Sequence, residues 1–123
     1  MAPPAKEPNV SGPVSLVEFP ADDQERAVRF WEGVLGVALD SRVEGEGVGR
    51  QTHTGGTELG VHPRGRGPGD TVSLPYFDVP DLAAALERVV ELGGSVIHPG
   101  KRWAICRDSE GSPFGLGAPD TPA

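Results

Sequence analysis

Apolar and polar positions along the chain switch between two rhythms, and they do so twice. The run "PVSLVEF" (13–19) is β-rich and closes at Pro20. Asp22 or Asp23 is then placed to cap a helix by accepting backbone N–H bonds in its first turn. Across 24–35, Ala27, Val28, Phe30, Trp31, Val34 and Leu35 recur at three- and four-residue spacing, which predicts one apolar helical stripe stopped by Gly36. Three short runs follow, "VALDSRVE" (37–44), "GVGRQTHT" (47–54) and "TELGVHP" (57–63), separated by Gly-rich turns as in an antiparallel meander.

The stretch "RGRGPGD" (64–70) has no periodicity and reads as a linker. The grammar then restarts. "TVSLPYFDV" (71–79) predicts a strand, and Pro80 and Asp81 open a helix. Leu82, Ala85, Leu86, Val89 and Leu92 form its stripe, Gly93 and Gly94 end it, and "SVIHP", "RWAICRD" and "PFGLG" supply three more strands. An offset of 58 residues superimposes Phe19 on Phe77, Asp23 on Asp81, Ala27 on Ala85 and Gly36 on Gly94. The chain therefore reads as an internal repeat of a β-α-β-β-β unit. The expected architecture is α+β, with a lead-in at 1–12, a first module at 13–63, the linker, and a second module at 71–119, all in one structural domain. One helix covers only one face of four strands. The other face of each module is expected to enclose a cleft, and clefts between units take small ligands.

Composition narrows the picture. The 18 Gly and 13 Pro favour short strands and turns over a helical bundle. A formal net charge of −7 argues against nucleic acid as a partner, because phosphate binding calls for a basic face. The single cysteine, Cys106, rules out an internal disulfide and reads as a buried, inert thiol. No apolar run approaches the ~20 residues needed to span a bilayer, and residues 1–12 lack the apolar core of a signal peptide, so the expected location is cytoplasmic.

The helix "DDQERAVRFWEGVLG" and the tail "RDSEGSPFGL", set in a tandem βαβββ repeat, resemble the vicinal oxygen chelate superfamily of glyoxalase I, bleomycin-resistance proteins and extradiol dioxygenases. The resemblance covers residues 13 to 119. It implies a curved mixed sheet around a cleft, a homodimer, and in metal-dependent members a divalent ion held by His, Glu or Gln on the first, fourth, fifth and eighth strands. Carried onto this sequence, those positions fall on Leu16, Glu58, Leu74 and Gly115. Leu and Gly offer a cation no lone pair, and one carboxylate does not complete a coordination shell. The expectation is a cleft without a metal cofactor.

Strand alternation adds Glu18 and Tyr76 to the cleft, again 58 apart. Glu18 reads either as a solvated rim carboxylate or as a hydrogen-bond acceptor for a ligand, and Tyr76 as a packed aromatic or as a stacking and hydrogen-bonding group. Trp103 fits a cleft wall and core packing equally well. Glu58 and His62 are about 13 Å apart in an extended strand, too far to ligate one ion. His62 reads as a strand-end surface residue, and His53 and His98 carry no role. The reading is a small-molecule binding protein of the bleomycin-resistance type. The alternatives are an enzyme, with a displaced metal set including Glu58 or with Glu18 as general base, and an accessory domain that binds no ligand.

Overall fold

A computed structural model describes residues 14–43, 46–67 and 69–118. The lead-in at 1–12 lies outside the described residues. Ten elements follow in the order β1 (Val14–Ala21), α1 (Gln24–Leu35), β2 (Asp40–Ser41), β3 (Arg50–Gln51), β4 (Glu58–Pro63), β5 (Leu74–Asp78), α2 (Leu82–Glu91), β6 (Ser95–His98), β7 (Trp103–Arg107) and β8 (Pro113–Gly117). The eight strands form one sheet in the order β2-β3-β4-β1-β5-β8-β7-β6. Each half is a βαβββ unit in which the first strand runs parallel to the last, β1 with β4 and β5 with β8. Antiparallel pairing of β1 with β5 joins the halves within a single chain.

Both helices start where a carboxylate can accept a free N–H. Asp23 Oδ1 accepts from Arg26 N at 3.0 Å, and Asp81 Oδ1 accepts from Ala84 N at 3.1 Å. Gly36 ends α1 at φ 67°, a left-handed conformation that a Cβ disfavours. Each helix covers one face of its own half. Val28 packs with Ala21, Leu39 and Val61. Leu82 and Ala85 pack with Val79, Ala104, Cys106, Leu116 and Ala118. The Cys106 thiol is fully buried, and that burial pushes its pKa up, which keeps it unreactive.

Several details differ from the pattern-based expectation, among them the shrinking of β2 and β3 to two residues each. The strand β1 does not close at Pro20 but continues to Ala21, with Pro20 in register with His62 of β4. The pairing with β5 ends at Glu18, so Pro20 has β4 alone as a neighbour and its missing donor breaks no second ladder. The stripe of α2 ends before Leu92, which caps the helix and is 66% exposed. Phe30, Val34 and Leu35 of α1 are also more than half exposed, so the buried stripe there reduces to Ala27, Val28 and Trp31, the last stacked on Phe19 at 4.8 Å.

Candidate functional site

The face of the sheet opposite the helices encloses a cavity of about 1010 Å³. Its floor comes from alternate residues of the central strands. Phe19 and Ala21 of β1 turn to the helix side, whereas Leu16 and Glu18 face the cavity, joined by Glu58 and His62 from β4 and by Leu74 and Tyr76 from β5. From β7 come Trp103 and Ile105. Three connections contribute to the walls: the segment before β3, through Val43, Gly47 and Val48, the turn between β3 and β4, through His53, Gly55 and Gly56, and the connection between the modules, through Arg64, Gly65, Gly69 and Asp70. The stretch read as a linker is thus a cleft wall. Gly69 lies so close to Leu74 and Ile105 that a Cβ there would overlap Leu74 Cδ1 and come to 3.1 Å from Ile105 Cδ1.

Glu18 is 5% exposed and forms an ion pair with Arg42, whose side chain is also 5% exposed. Arg42 Nη1 donates to the carbonyls of Glu46 (3.1 Å) and Val48 (3.0 Å). The pair therefore ties the loop wall to the floor. It fits because β4 presents Gly60 in register with Glu18: a Cβ at Gly60 would overlap Arg42 Nη2 and stand 3.1 Å from Glu18 Oε1. Tyr76 repeats the arrangement in the second half, in register with Gly115 of β8, where a Cβ would run into its ring. Burial, and then the negative charge of Glu18, push the Tyr76 phenol well above its ordinary value, with Arg42 partly offsetting them. The hydroxyl stays protonated over the physiological range.

This register shows what each sequence-derived position does. Leu74 is 1% exposed and belongs to the floor, in register with Glu18. Gly115 lies under the Tyr76 ring, so this position makes room for an aromatic side chain. Glu58 is in register with Leu16, whereas the equivalent of Gly115 in the first half is Gly60. The Glu58 carboxylate serves its own turn, accepting from Thr52 Oγ1 at 2.6 Å, Thr54 N at 2.9 Å and Gly55 N at 2.9 Å. Burial acts to raise its pKa, but these hydrogen bonds outweigh it and hold the group below the usual carboxylate value. Trp103 lines the cavity, is 37% exposed and stacks on His98 at 5.2 Å and 25°. His62 Nδ1 lies 2.9 Å from the Pro63 carbonyl, and His53 lies 3.2 Å from the Glu46 carboxylate. Arg42 is absent from the residues that sequence reasoning assigned to the cleft, and no periodicity marks it, because it follows a strand of two residues.

A divalent ion does not fit the donor set. Leu16, Leu74 and Gly115 supply no donor atom, and Glu58 and Glu18 already have partners on this chain. Among the described residues no group of three or more His, Cys, Asp or Glu is placed to hold a metal. Among them, too, no helix is long and apolar enough to cross a membrane.

Comparison with known proteins places this geometry. The model of the glyoxalase-like domain matches residues 16–117. No curated protein matches the sequence. Methylmalonyl-CoA epimerase from Mycobacterium tuberculosis superposes with a TM-score of 0.61 at 16% identity, over 90% of this chain and 89% of that one. Streptomyces coelicolor methylmalonyl-CoA epimerase, in complex with 2-nitronate-propionyl-CoA, gives 0.61 at 14% identity over 88% and 97%. A hypothetical protein from Bacillus halodurans gives 0.66 at 14% identity over 92% and 98%. At these identities the likeness is one of fold.

Proposed function

This chain belongs to the glyoxalase-like domain family of the vicinal oxygen chelate superfamily, and on that premise we propose that it binds a small organic molecule in its cleft without a chelated divalent ion. The observation that carries this reading is the content of the superfamily's chelating positions: two leucines, a glycine filled by the Tyr76 ring, and a glutamate engaged by its own turn. What replaces the chelate is suited to organic ligands. The apolar side chains of Val43, Val48 and Trp103 are exposed and line the same cavity, whose floor holds a few buried polar groups. Apolar walls with few convergent polar groups are the usual make-up of a ligand pocket, and the volume is at the upper end of the usual range. The Streptomyces coelicolor methylmalonyl-CoA epimerase with this fold is in complex with a CoA derivative, which supports a small-molecule role for the cleft.

A general-base role for Glu18 is less favoured, because the Arg42 guanidinium already engages one of its oxygens and compensates its charge. Carboxylate bases are made strong by apolar isolation instead. The test is elemental analysis of the purified chain together with a thermal-shift screen of small molecules, with and without chelator. The expected outcome is metal well below one equivalent per chain and ligand stabilisation that chelator leaves unchanged, amounting to about 2.7 kcal/mol at a hundredfold excess over Kd. One equivalent of a transition metal, or stabilisation abolished by chelator, would overturn the proposal.

A further inference from the structure

The strands turn three glycines to the cavity side of the sheet, and the fold itself calls for only two of them. Gly60 and Gly115 are buried, because the Glu18–Arg42 pair and the Tyr76 ring take the space of a Cβ. Gly117 is different. It is half-buried, lines the cavity and lies outside the left-handed backbone region. A Cβ built there would have Asp78 Oδ1 at 3.5 Å and the Arg102 carbonyl oxygen at 3.8 Å, both ordinary contacts. Its chain neighbours aside, nothing else comes within 4 Å. Neither backbone strain nor crowding requires glycine at 117, and the side chain it lacks leaves a recess in the floor.

The strand registers give the walls of that recess. Asp78 of β5 and Trp103 of β7 both pair with Gly117, so they flank it two strand spacings apart, about 10 Å. Tyr76 and Ile105 pair with Gly115 in the next row of the same face and close the recess on its inner side. His98 stacks on Trp103 from β6, the strand on the far side of β7 from β8. The opposite face of the indole is therefore turned toward Gly117 and the cavity. A flat ring packs on such a face at about 3.5–4 Å, a thickness the gap accommodates. The groups nearest the Gly117 position are acceptors. The Arg102 carbonyl takes the Ala118 N–H at 2.7 Å and keeps a second lone pair, and a carboxylate such as Asp78 has lone pairs for several donors. An anion would be set against Asp78. The Arg102 side chain also lines the cavity, so an anion is the competing occupant that a test has to separate.

We propose that the recess over Gly117 anchors the ligand and takes a flat aromatic ring, stacked on Trp103, with a neutral hydrogen-bond donor on its edge. This rests on the small-molecule reading above and names its subsite and ligand class. The test uses the purified full chain and three probes of matched shape, 2-naphthol, 2-methoxynaphthalene and 2-naphthoate, followed by titration calorimetry and thermal shift. The naphthol is expected to bind about tenfold more tightly than the other two, the worth of one hydrogen bond to a charged acceptor. A methoxy probe or an anion that binds as well as the naphthol, or a naphthol that does not bind, overturns the proposal. Filling the recess gives a second measurement. Gly117→Val should weaken naphthol binding at least tenfold, and Gly117→Ala, whose Cβ meets only ordinary contacts, does the same to a smaller extent if the valine variant does not fold. Trp103→Leu removes the stack and should also weaken it. Unchanged naphthol affinity in a folded Gly117 variant overturns the proposal, and if no variant folds the wild-type order of the probes decides. Where another library compound stabilises the chain but the naphthol does not, this proposal falls and the metal-free binding reading stands. A stoichiometric metal brings down that broader reading whatever the order of the probes.

Discussion

Tyr76 and Gly115 show how one side chain depends on the absence of another. The ring of Tyr76 lies over the Gly115 backbone, with its Cγ 2.7 Å from where a Cβ would be built. Gly115→Ala should therefore force the ring or the strand to shift, and overpacking of this kind costs roughly 1–3 kcal/mol. The cost should depend on Tyr76. In the Tyr76→Ala background the same alanine has room, so a double-mutant cycle by denaturant unfolding should give a coupling above about 1 kcal/mol, where independent sites add to within about 0.5 kcal/mol. Additivity would show that the clash is relieved elsewhere. The same geometry explains what was legible at residue scale. Leu16, Glu18, Leu74 and Tyr76 line the cavity, and period-two alternation needs only a fixed helix cap as its origin to put them on one face. The roles of Gly60 and Gly115 depend on what stands across the neighbouring strand, and a single sequence does not write that down. Arg42 was invisible for the same reason: its partner is 24 positions away.

At the scale of elements, the helices were legible nearly to the residue because their signals are local: a capping carboxylate, an apolar period and a terminating glycine. The strands β2 and β3 were not, since each has shrunk to two residues, while Val37 and Leu39 of those runs pack behind the sheet and Val43, Gly47 and Val48 line the cleft. Glu58 illustrates the difference. Its side chain organises the turn between β3 and β4 through Thr52, Thr54 and Gly55, a local task that a family comparison disguises as a ligand position. Its pKa is lowered from 4.5, so the folded state holds the proton less tightly than the unfolded chain does. That contribution to stability is present above pH 4.5 and fades as the pH falls through the folded value. Glu58→Gln should therefore lower Tm at neutral pH, and the gap to wild type should close on acidification below 4.5. Thermal melts of both proteins across that range check it, and a gap independent of pH would assign the effect to packing rather than to charge.

For the whole molecule, the repeat pattern is the same whether two modules pair within a chain or exchange between chains, so the sequence left that choice open. The structure closes the sheet within one chain through β1 and β5, with Leu16 opposite Tyr76 and Glu18 opposite Leu74. The strands that join the modules are thus the strands that form the cleft floor, and each module's helix packs on a separate apolar cluster behind it. Shared central strands predict one cooperative unit, because unfolding either module strips the other of a neighbouring strand along its inner edge. The chain carries a reporter in each half: Trp31 packed on Phe19 in the first module and Trp103 on β7 in the second. In Trp103→Phe the fluorescence reports the first module alone, and in Trp31→Phe the second. Within each variant, the fluorescence midpoint in denaturant should coincide with the midpoint by far-ultraviolet circular dichroism, which sees both modules. The substitution itself will move the midpoint, so the comparison is between probes and not between variants. A circular dichroism curve that splits into two transitions, with each tryptophan following a different one, would mean that the β1–β5 seam does not couple the modules, and that the cleft floor can open while both cores stay folded.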